Sequence, residues 1–546
     1  MRWKFTDMDD TYLEGYLSTL NVDRTILKIL LNRGIKGRDE IFKYLYGTME
    51  HLVDSFEINE MGKGVDRVIQ ALENNERIII WGDEDAEGMT ATAILYKFLK
   101  DIRANVSYFI PSRSEHGIGL NEKVIDYYAD KGVNLIITVD CGISDVDEVD
   151  HANARGVDVI VTDHHNITHT SLPNAVARIN PVISKNDKYS GAGVAFRFAE
   201  AIAKKYLNLS SSQFYSVQKE LVMIAAFGTI ADKVPLVGDN RIIVKRGIEI
   251  FKEHGFCITK VISKLLDTTI IDNFQAIHNF IIPIISSSKS VKGKVQIINV
   301  LVSNDGNSYQ KEIIDLYKKS SEWQSNAKEI FNSYMVKLDM EKFGKIIIIQ
   351  GNTDRMYSGY VASKIKDITN KPVIIITPNN GDFVAEGRCP KYFDLAMMFK
   401  SMSDLFDNFG GHKYAAGFTI KKEKVSDFIE RANRYAEENI SEEDLISNIT
   451  IDAKIDIKDM SNSVFKTARI MSPFGEGNQP PVFLLNNVHL QEHIFGYELM
   501  ENGIIFVSGD NNRCRKSINS GGLADIVFTV DIDNKPIVLD CKKIKQ

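Results

Sequence analysis

The stretch Ile78–Leu99, IIIWGDEDAEGMTATAILYKFL, decides how this chain folds. Three isoleucines and a tryptophan read as a strand that is apolar on both faces, and the run Thr92–Ile102 reads as a helix. Such a strand belongs in a parallel sheet covered by helices on each side. The join between strand and helix carries Asp83, Glu84, Asp85 and Glu87. Like charges that close repel one another unless something positive sits among them, and a divalent metal suits clustered oxygen donors.

The same pattern continues outward. From about residue 77 to 200, apolar runs (VSYFI, NLIITVD, DVIVTD, AVARIN) alternate with helical periodicity, which predicts an α/β domain with a largely parallel sheet. Helical patterns run on to about residue 270. A Lys- and Glu-rich stretch, Ser303–Lys342, predicts a long and mostly exposed connecting helix. KIIIIQ, SGYVASKIKDIT and PVIIIT then open a second, smaller α/β unit. Beyond about residue 446 the helix signal fades into short alternating runs with turn pairs, which suits a small β-barrel. The expected division is a helical lead-in over 1–65, the first α/β domain over 66–302, the connecting helix over 303–342, the second α/β domain over 343–445 and the barrel over 446–546.

At 546 residues the chain exceeds a single ordinary core, so a multidomain protein is expected. It is 44% hydrophobic and 25% charged, and no apolar run approaches the roughly 20 residues needed to cross a bilayer. The start, MRWKFTDMDD, turns acidic at once and lacks the apolar core of a secretory signal, which predicts a cytoplasmic protein. Five cysteines form no C-x-x-C pair, in keeping with a reducing compartment and against structural zinc. The formal net charge of -7 repels polyanions, so a nucleic-acid substrate would need local basic patches or metals to hold it.

Three of the apolar strands end in candidate ligands: Asp83 and Asp85, then Asp140, then Asp163, His164 and His165. In open α/β sheets, ligands bind outside the carboxyl ends of the strands, so these side chains converge if the strands are neighbours. A strand-end Asp also serves as a helix cap or turn residue, and a His-His pair as core; the same chemistry at three strand ends favours a metal site. Carboxylates with a little imidazole suit a pair of Mn²⁺ or Mg²⁺ ions. Two such ions about 3.5–4 Å apart can activate water and stabilise both oxygens in phosphoester cleavage. Asp232, in GTIADKVPL, reads as a ligand or a helix cap.

In order and spacing, GDEDAEGMTATA, VDCGIS, VTDHH and GTIADKVPL resemble the four motifs of the DHH phosphoesterase superfamily. YFIPSR, GIGL, ARINP and GAGVAFRFAEAI resemble the RecJ single-strand exonucleases; NFGGHKYAAGF resembles the DHHA1 signature, and PFGEGNQPPVFLL the junction into the RecJ OB-fold. The resemblance implies a DHH domain, a long connecting helix, a DHHA1 domain and a C-terminal OB-like barrel. It also implies a 5′-to-3′ exonuclease on single-stranded DNA, RNA not excluded, in DNA repair or recombination, with two Mn²⁺ or Mg²⁺ ions and with repair or replication proteins as partners. By motif position, Asp83, Asp85, Glu87, Asp140, His164 and Asp232 would hold metal. Asp163, His164 and His165 would be catalytic, and Arg113, Arg388, Gly410, Gly411 and His412 would bind substrate.

The chain departs from the family pattern at Glu87, where an Asp is usual. It departs again over about 280–294, where Lys289, Lys292 and Lys294 replace an arginine-containing segment, and at Glu386, where Ser is common. Two other readings stay open: a phosphodiesterase of short oligonucleotides or cyclic dinucleotides, and a scaffold with weakened catalysis. In the barrel, Phe495, Tyr497, Phe506, Arg513, Arg515 and Lys516 are candidate strand-binding residues or, equally, core and solvated turn.

Overall fold

The structure is a computed structural model of the chain. It describes residues 2–544 apart from 6–9, 18–19, 21, 114, 168–170, 185–188, 254–256, 267–272, 304–308, 338–342, 353, 380, 461–463, 494–495, 501–502, 509–522 and 531–534. The chain divides into two compact units, one of residues 6–320 with 451–546 and the other of residues 1–5 with 321–450.

The first unit is built on five parallel strands: β1 (Ile78–Trp81), β2 (Val106–Phe109), β3 (Leu135–Val139), β4 (Asp158–Thr162) and β5 (Ala177–Ile179). Their spatial order is β2-β1-β3-β4-β5, so β1, β3 and β4 are the neighbours that the ligand pattern requires. Alternation within β1 explains its apolar character, since Ile78 and Ile80 enter one core while Ile79 and Trp81 enter another on the opposite face. Helices α1 (Met61–Glu73), α2 (Ala86–Asp101), α3 (Gly191–Tyr206), α4 (Lys219–Asp232) and α5 (Gly238–Lys252) contribute to the larger core. Every residue of α4 from Glu220 to Ile230 is buried, as befits a helix packed on all sides.

The N-terminal segment is helical, and it does not stand apart. Ile26, Leu27, Leu30 and Leu31 of the helix Arg24–Asn32 share one core with the C-terminal barrel. The PFGEGN segment is the seam. Asn478 donates to the carbonyls of Met471 (2.9 Å) and Pro473 (2.8 Å) and accepts from the Tyr44 hydroxyl at 2.7 Å. Arg241, 1% exposed, donates to the carbonyls of Tyr44, Ile470, Ser472 and Pro473 and lies over the Tyr44 ring. Arg33 grips Asp452 with two bonds of 3.0 and 2.7 Å.

The barrel strands β11 (Val482–His493), β12 (Gly496–Leu499), β13 (Ile505–Ser508), β15 (Pro536–Lys543) and β14 (Leu523–Val530) follow one another in space, and β14 pairs back onto β11 to close the ring. Closure leaves no free sheet edge among these five strands. Tyr497 and Phe506 lie in its core at 2% and 0% exposure, which decides for the core reading of the two left open by the sequence. Phe495, Arg513, Arg515 and Lys516 lie outside the described residues. The region read as losing helix does hold one, Phe465–Met471, too short for periodicity to announce.

The second unit has the sheet order β9-β10-β8-β7-β6, from β6 (Ile347–Gln350), β7 (Val373–Asn379), β8 (Asp382–Arg388), β9 (Phe406–His412) and β10 (Ala415–Ile420). Only β6 and β7 run parallel. The helix Gln310–Lys337 lies within the expected connecting segment and is largely exposed, with Ile313, Leu316 and Ala327 buried. Among the described residues no helix is long and apolar enough to cross a membrane.

Candidate metal centre

Because β1, β3 and β4 are parallel neighbours in register, with Trp81 opposite Thr138 and Val139 opposite Thr162, their C-terminal ends deliver the motif residues to one edge. Asp140 follows β3 directly and holds a left-handed backbone, φ 63°, unusual for a side chain with a Cβ. Strain of that kind persists only where surrounding structure enforces it, and it clusters at functional sites. Here the Asp140 amide is tied to the Thr162 carbonyl at 3.0 Å.

Two overlapping groups at this edge have the spacing to hold an ion: Glu87, His164 and Asp232, and Asp140, His164 and His165. His164 is common to both. Its Nε2 lies 3.2 Å from Asp140 Oδ1 and 3.5 Å from Glu87 Oε1, and its Nδ1 lies 3.7 Å from Asp232 Oδ2. Asp140 Oδ1 and His164 Nε2 are buried and face each other at 3.2 Å, and neither makes a well-aligned hydrogen bond. Unsatisfied buried donors and acceptors are costly, and a cation resolves both at once. Carboxylate oxygens with one shared imidazole fit hard divalent ions such as Mn²⁺ and Mg²⁺.

The electrostatics agree with that need. Burial pushes Asp140 up to about 7, although His164 pulls the other way. Burial, followed by the charges of Asp140 and Asp232, drives Glu87 well above the usual carboxylate range. A charged ligand set is therefore unfavourable here until a cation joins it.

Asp163 does a different job. Its Oδ1 accepts from the amides of His164 (2.7 Å) and His165 (3.1 Å) and from His165 Nδ1 (2.7 Å), and its Oδ2 accepts from the Ile143 amide at 3.0 Å. Burial alone would raise it, but these bonds, with His165 first, hold it below its ordinary value. In turn the Asp163 bond raises His165 to about 9.

The crowded carboxylates of GDEDAEG divide their labour. Asp83 and Asp85 converge on Arg113, whose Nη2 lies 2.6 Å from Asp83 Oδ2 and 3.0 Å from Asp85 Oδ2. Asp85 also caps α2 by accepting from the Gly88 amide at 2.9 Å. Glu84 faces no ligand group: it accepts from the amides of Arg113 (3.0 Å) and Ser290 (2.8 Å), tying two loops together. So the four charges are relieved partly by an arginine and by backbone, and Glu87 alone of the four belongs to a group with the spacing to hold an ion. Glu87 reaches the Gly191 amide at the start of α3. Gly191 admits no side chain there, since a Cβ would lie 2.4 Å from Asp140 Oδ1. Sequence reading did not single out Gly191; the Ser-Gly-Ala-Gly start of α3 was the available signal.

Arg388, Gly410, Gly411 and His412 belong to the second unit. Arg388 and His412 both stand opposite Ala415, on β8 and β9 flanking β10, so they share one cross-strand row. Gly411 has φ 128°, and a Cβ on it would lie 2.5 Å from the Ala416 Cα, so no other residue fits. Glu386 lies 3.4 Å from Arg388 and 3.7 Å from Arg355, flanked by two guanidinium groups. In the first unit Lys294 donates to the Tyr108 carbonyl at 2.6 Å and covers its ring, an internal role.

Comparison with known proteins agrees with this arrangement. Family models match the DHH family N-terminal domain over residues 77–229, the DHHA1 domain over 343–438 and the RecJ OB domain over 451–535. The single-stranded-DNA-specific exonuclease RecJ of Bacillus subtilis is 28% identical over 501 residues, covering 90% of this chain and 62% of that protein. The RecJ of Thermus thermophilus is 29% identical over 419 residues, covering 76% and 60%. The chain thus spans about three fifths of the length of these two relatives. The crystal structure of Thermus thermophilus RecJ with Mn²⁺ superposes with a TM-score of 0.82 at 22% identity, over 100% of this chain and 80% of that one. A manganese-bound exonuclease RecJ gives a TM-score of 0.60 at 28% identity, over 71% and 98%. The chain thus carries a DHH domain, a DHHA1 domain and a RecJ OB domain in the order found in RecJ, with the motif residues gathered at one sheet edge.

Proposed function

We propose that the chain is a metal-dependent exonuclease that hydrolyses single-stranded DNA from its 5′ end, in DNA repair or recombination in the cytoplasm. The observation that carries this reading is the set of Glu87, Asp140, His164 and Asp232 around the unsatisfied Asp140 Oδ1 and His164 Nε2. The names of the relatives support the substrate, and the Mn²⁺ and Mg²⁺ complexes of Thermus thermophilus RecJ support the ions.

In this reading Asp85, Glu87, Asp140, His164 and Asp232 hold two divalent ions, with Asp83 beside them. Bound there, such ions would supply Lewis acidity toward the phosphodiester and an activated water. Asp163 fixes the His165 ring through Nδ1 and keeps it protonated near neutral pH, so its Nε2 can donate to the departing oxygen. Arg113 neutralises Asp83 and Asp85 and stands ready to meet the substrate phosphate. On the second unit, Arg388, His412 and the Gly410–Gly411 backbone bind the strand's phosphates. Glu386 offsets part of the Arg388 charge, so the requirement for a 5′-phosphate is weak. The functional divisions are those of 66–302, 303–342, 343–445 and 446–546.

The test is cleavage of single-stranded DNA labelled at either end, with and without a 5′-phosphate, in Mn²⁺, beside a duplex and a dinucleotide. Mononucleotides released progressively from the 5′ end are expected, and Asp140→Ala is expected to abolish them. Cleavage of the dinucleotide alone would replace this reading with a small-substrate phosphodiesterase, and strand binding without cleavage with a scaffold.

A further inference from the structure

A cavity of about 230 Å³ is lined by residues on either side of Asp232 in sequence, and the proposed hydrolysis makes no use of it. Its walls include Lys233 and Leu236, just beyond the ligand Asp232, together with Phe274, His278, Phe474 and Glu476. Phe274 and His278 stand one helical turn apart with ring planes within 15° of parallel and centroids 6.3 Å apart, so they offer two similarly oriented aromatic faces. His278 lies in a π-helical turn, Ile277–Ile281. Such turns are rare and often mark functional sites.

The opposite wall is held in place. The Leu236 amide donates to the Glu476 carbonyl at 2.8 Å, which joins the segment after Asp232 to the junction leading into the barrel. Lys233, at the C-terminal end of α4, has a left-handed backbone, φ 63°, and is exposed. A largely apolar cleft with parallel rings, and with Lys233 following the proposed ligand Asp232 in sequence, matches a nucleotide unit, an aromatic base attached to an anion, with Glu476 on the wall as the one acidic residue.

We propose that this cavity is a nucleobase subsite for the single strand. One base stacks on Phe274 and His278 with Leu236 and Phe474 at its edge, and Lys233 meets the adjoining phosphate. The subsite rests on the exonuclease reading and names where that substrate's base is held. Stacking accepts any of the bases, so the subsite adds affinity and strand positioning without sequence preference.

The experiment places 2-aminopurine at successive positions from the 5′ end of a single-stranded oligonucleotide. Emission is read on binding to the full chain in Ca²⁺, with anisotropy of a distal dye reporting binding itself. One position near the 5′ end should be quenched severalfold. Phe274→Ala should remove that quench and weaken binding about tenfold, in line with the worth of one base–aromatic stack, and Phe274→Trp should restore both. Thermal melting of each variant confirms that it is folded. If the strand binds but no position is quenched, or if the quench survives Phe274→Ala, the subsite is wrong; Mn²⁺-dependent cleavage by the unaltered protein then leaves the exonuclease reading standing. A chain that neither binds nor cleaves the strand overturns both.

Discussion

Glu87 shows how one methylene changes a site. The family pattern places Asp at this position, and the resemblance alone suggests that a shorter carboxylate would serve as well or better. The structure points the other way, because the longer side chain lets Oε1 accept from the Gly191 amide while remaining 3.5 Å from His164 Nε2. An Asp in its place would give up that charge-assisted bond, worth about 1.5–3 kcal/mol. Glu87→Asp should therefore weaken Mn²⁺ binding about tenfold or more by titration calorimetry on the full chain. Equal or tighter binding would mean that the Gly191 contact is incidental. Asp140, Asp163, His164 and His165 were legible as candidates because the strand ends repeat the same chemistry. The division between Asp163, which orients His165, and Asp140, which carries the unsatisfied oxygen, was not legible, since both are strand-end aspartates in sequence.

Among the elements, α1 is anchored to β5 by a single acidic residue. Glu60, at the N-terminus of α1 with φ 51°, accepts from the Arg178 amide at 2.8 Å and from its guanidinium at 3.0 and 2.9 Å. The Arg178 bonds lower its carboxyl from 4.5 to about 2. The folded state therefore holds this proton less tightly than the unfolded one, so the pair stabilises fully above about pH 4.5 and its contribution disappears as pH falls toward 2. Solvent screening limits the effect to about 1 kcal/mol. Urea midpoints of the unaltered chain and Glu60→Gln should differ at pH 6, and the gap should shrink to a small fraction of that by pH 2.5; a constant gap across that range would discount the Arg178 bonds. The alternation of strands and helices that places α1 and β5 was readable from apolar periodicity. The ion pair joining them was not, because 118 residues separate its partners.

At the scale of the whole molecule, the first unit is assembled from both ends of the chain. Arg241 makes this seam, linking α5, the N-terminal helices and the approach to the barrel through four carbonyls, with no carboxylate among its hydrogen-bond partners. Burial lowers its pKa, a cost that the surrounding carbonyls and the Tyr44 ring offset. Arg241→Met would remove this donor from the carbonyls of Tyr44, Ile470 and Ser472, while Pro473 keeps Asn478, at about 1–3 kcal/mol for each one left unsatisfied. The variant should lose at least about 3 kcal/mol in denaturant unfolding, and proteolysis should cut first near 471–476. Unchanged stability would show that the seam is held elsewhere. By itself the sequence determined the order of the domains, the parallel sheet and the candidate ligands at its strand ends, because hydrophobic periodicity and residue chemistry are local properties of the chain. Only the tertiary structure decided that the N-terminal helices share the barrel's core, that Glu84 accepts from two backbone amides, and that Arg113 neutralises Asp83 and Asp85. Those contacts join residues far apart in sequence, and whether a charge meets a cation, a backbone amide or water depends on what folding brings beside it.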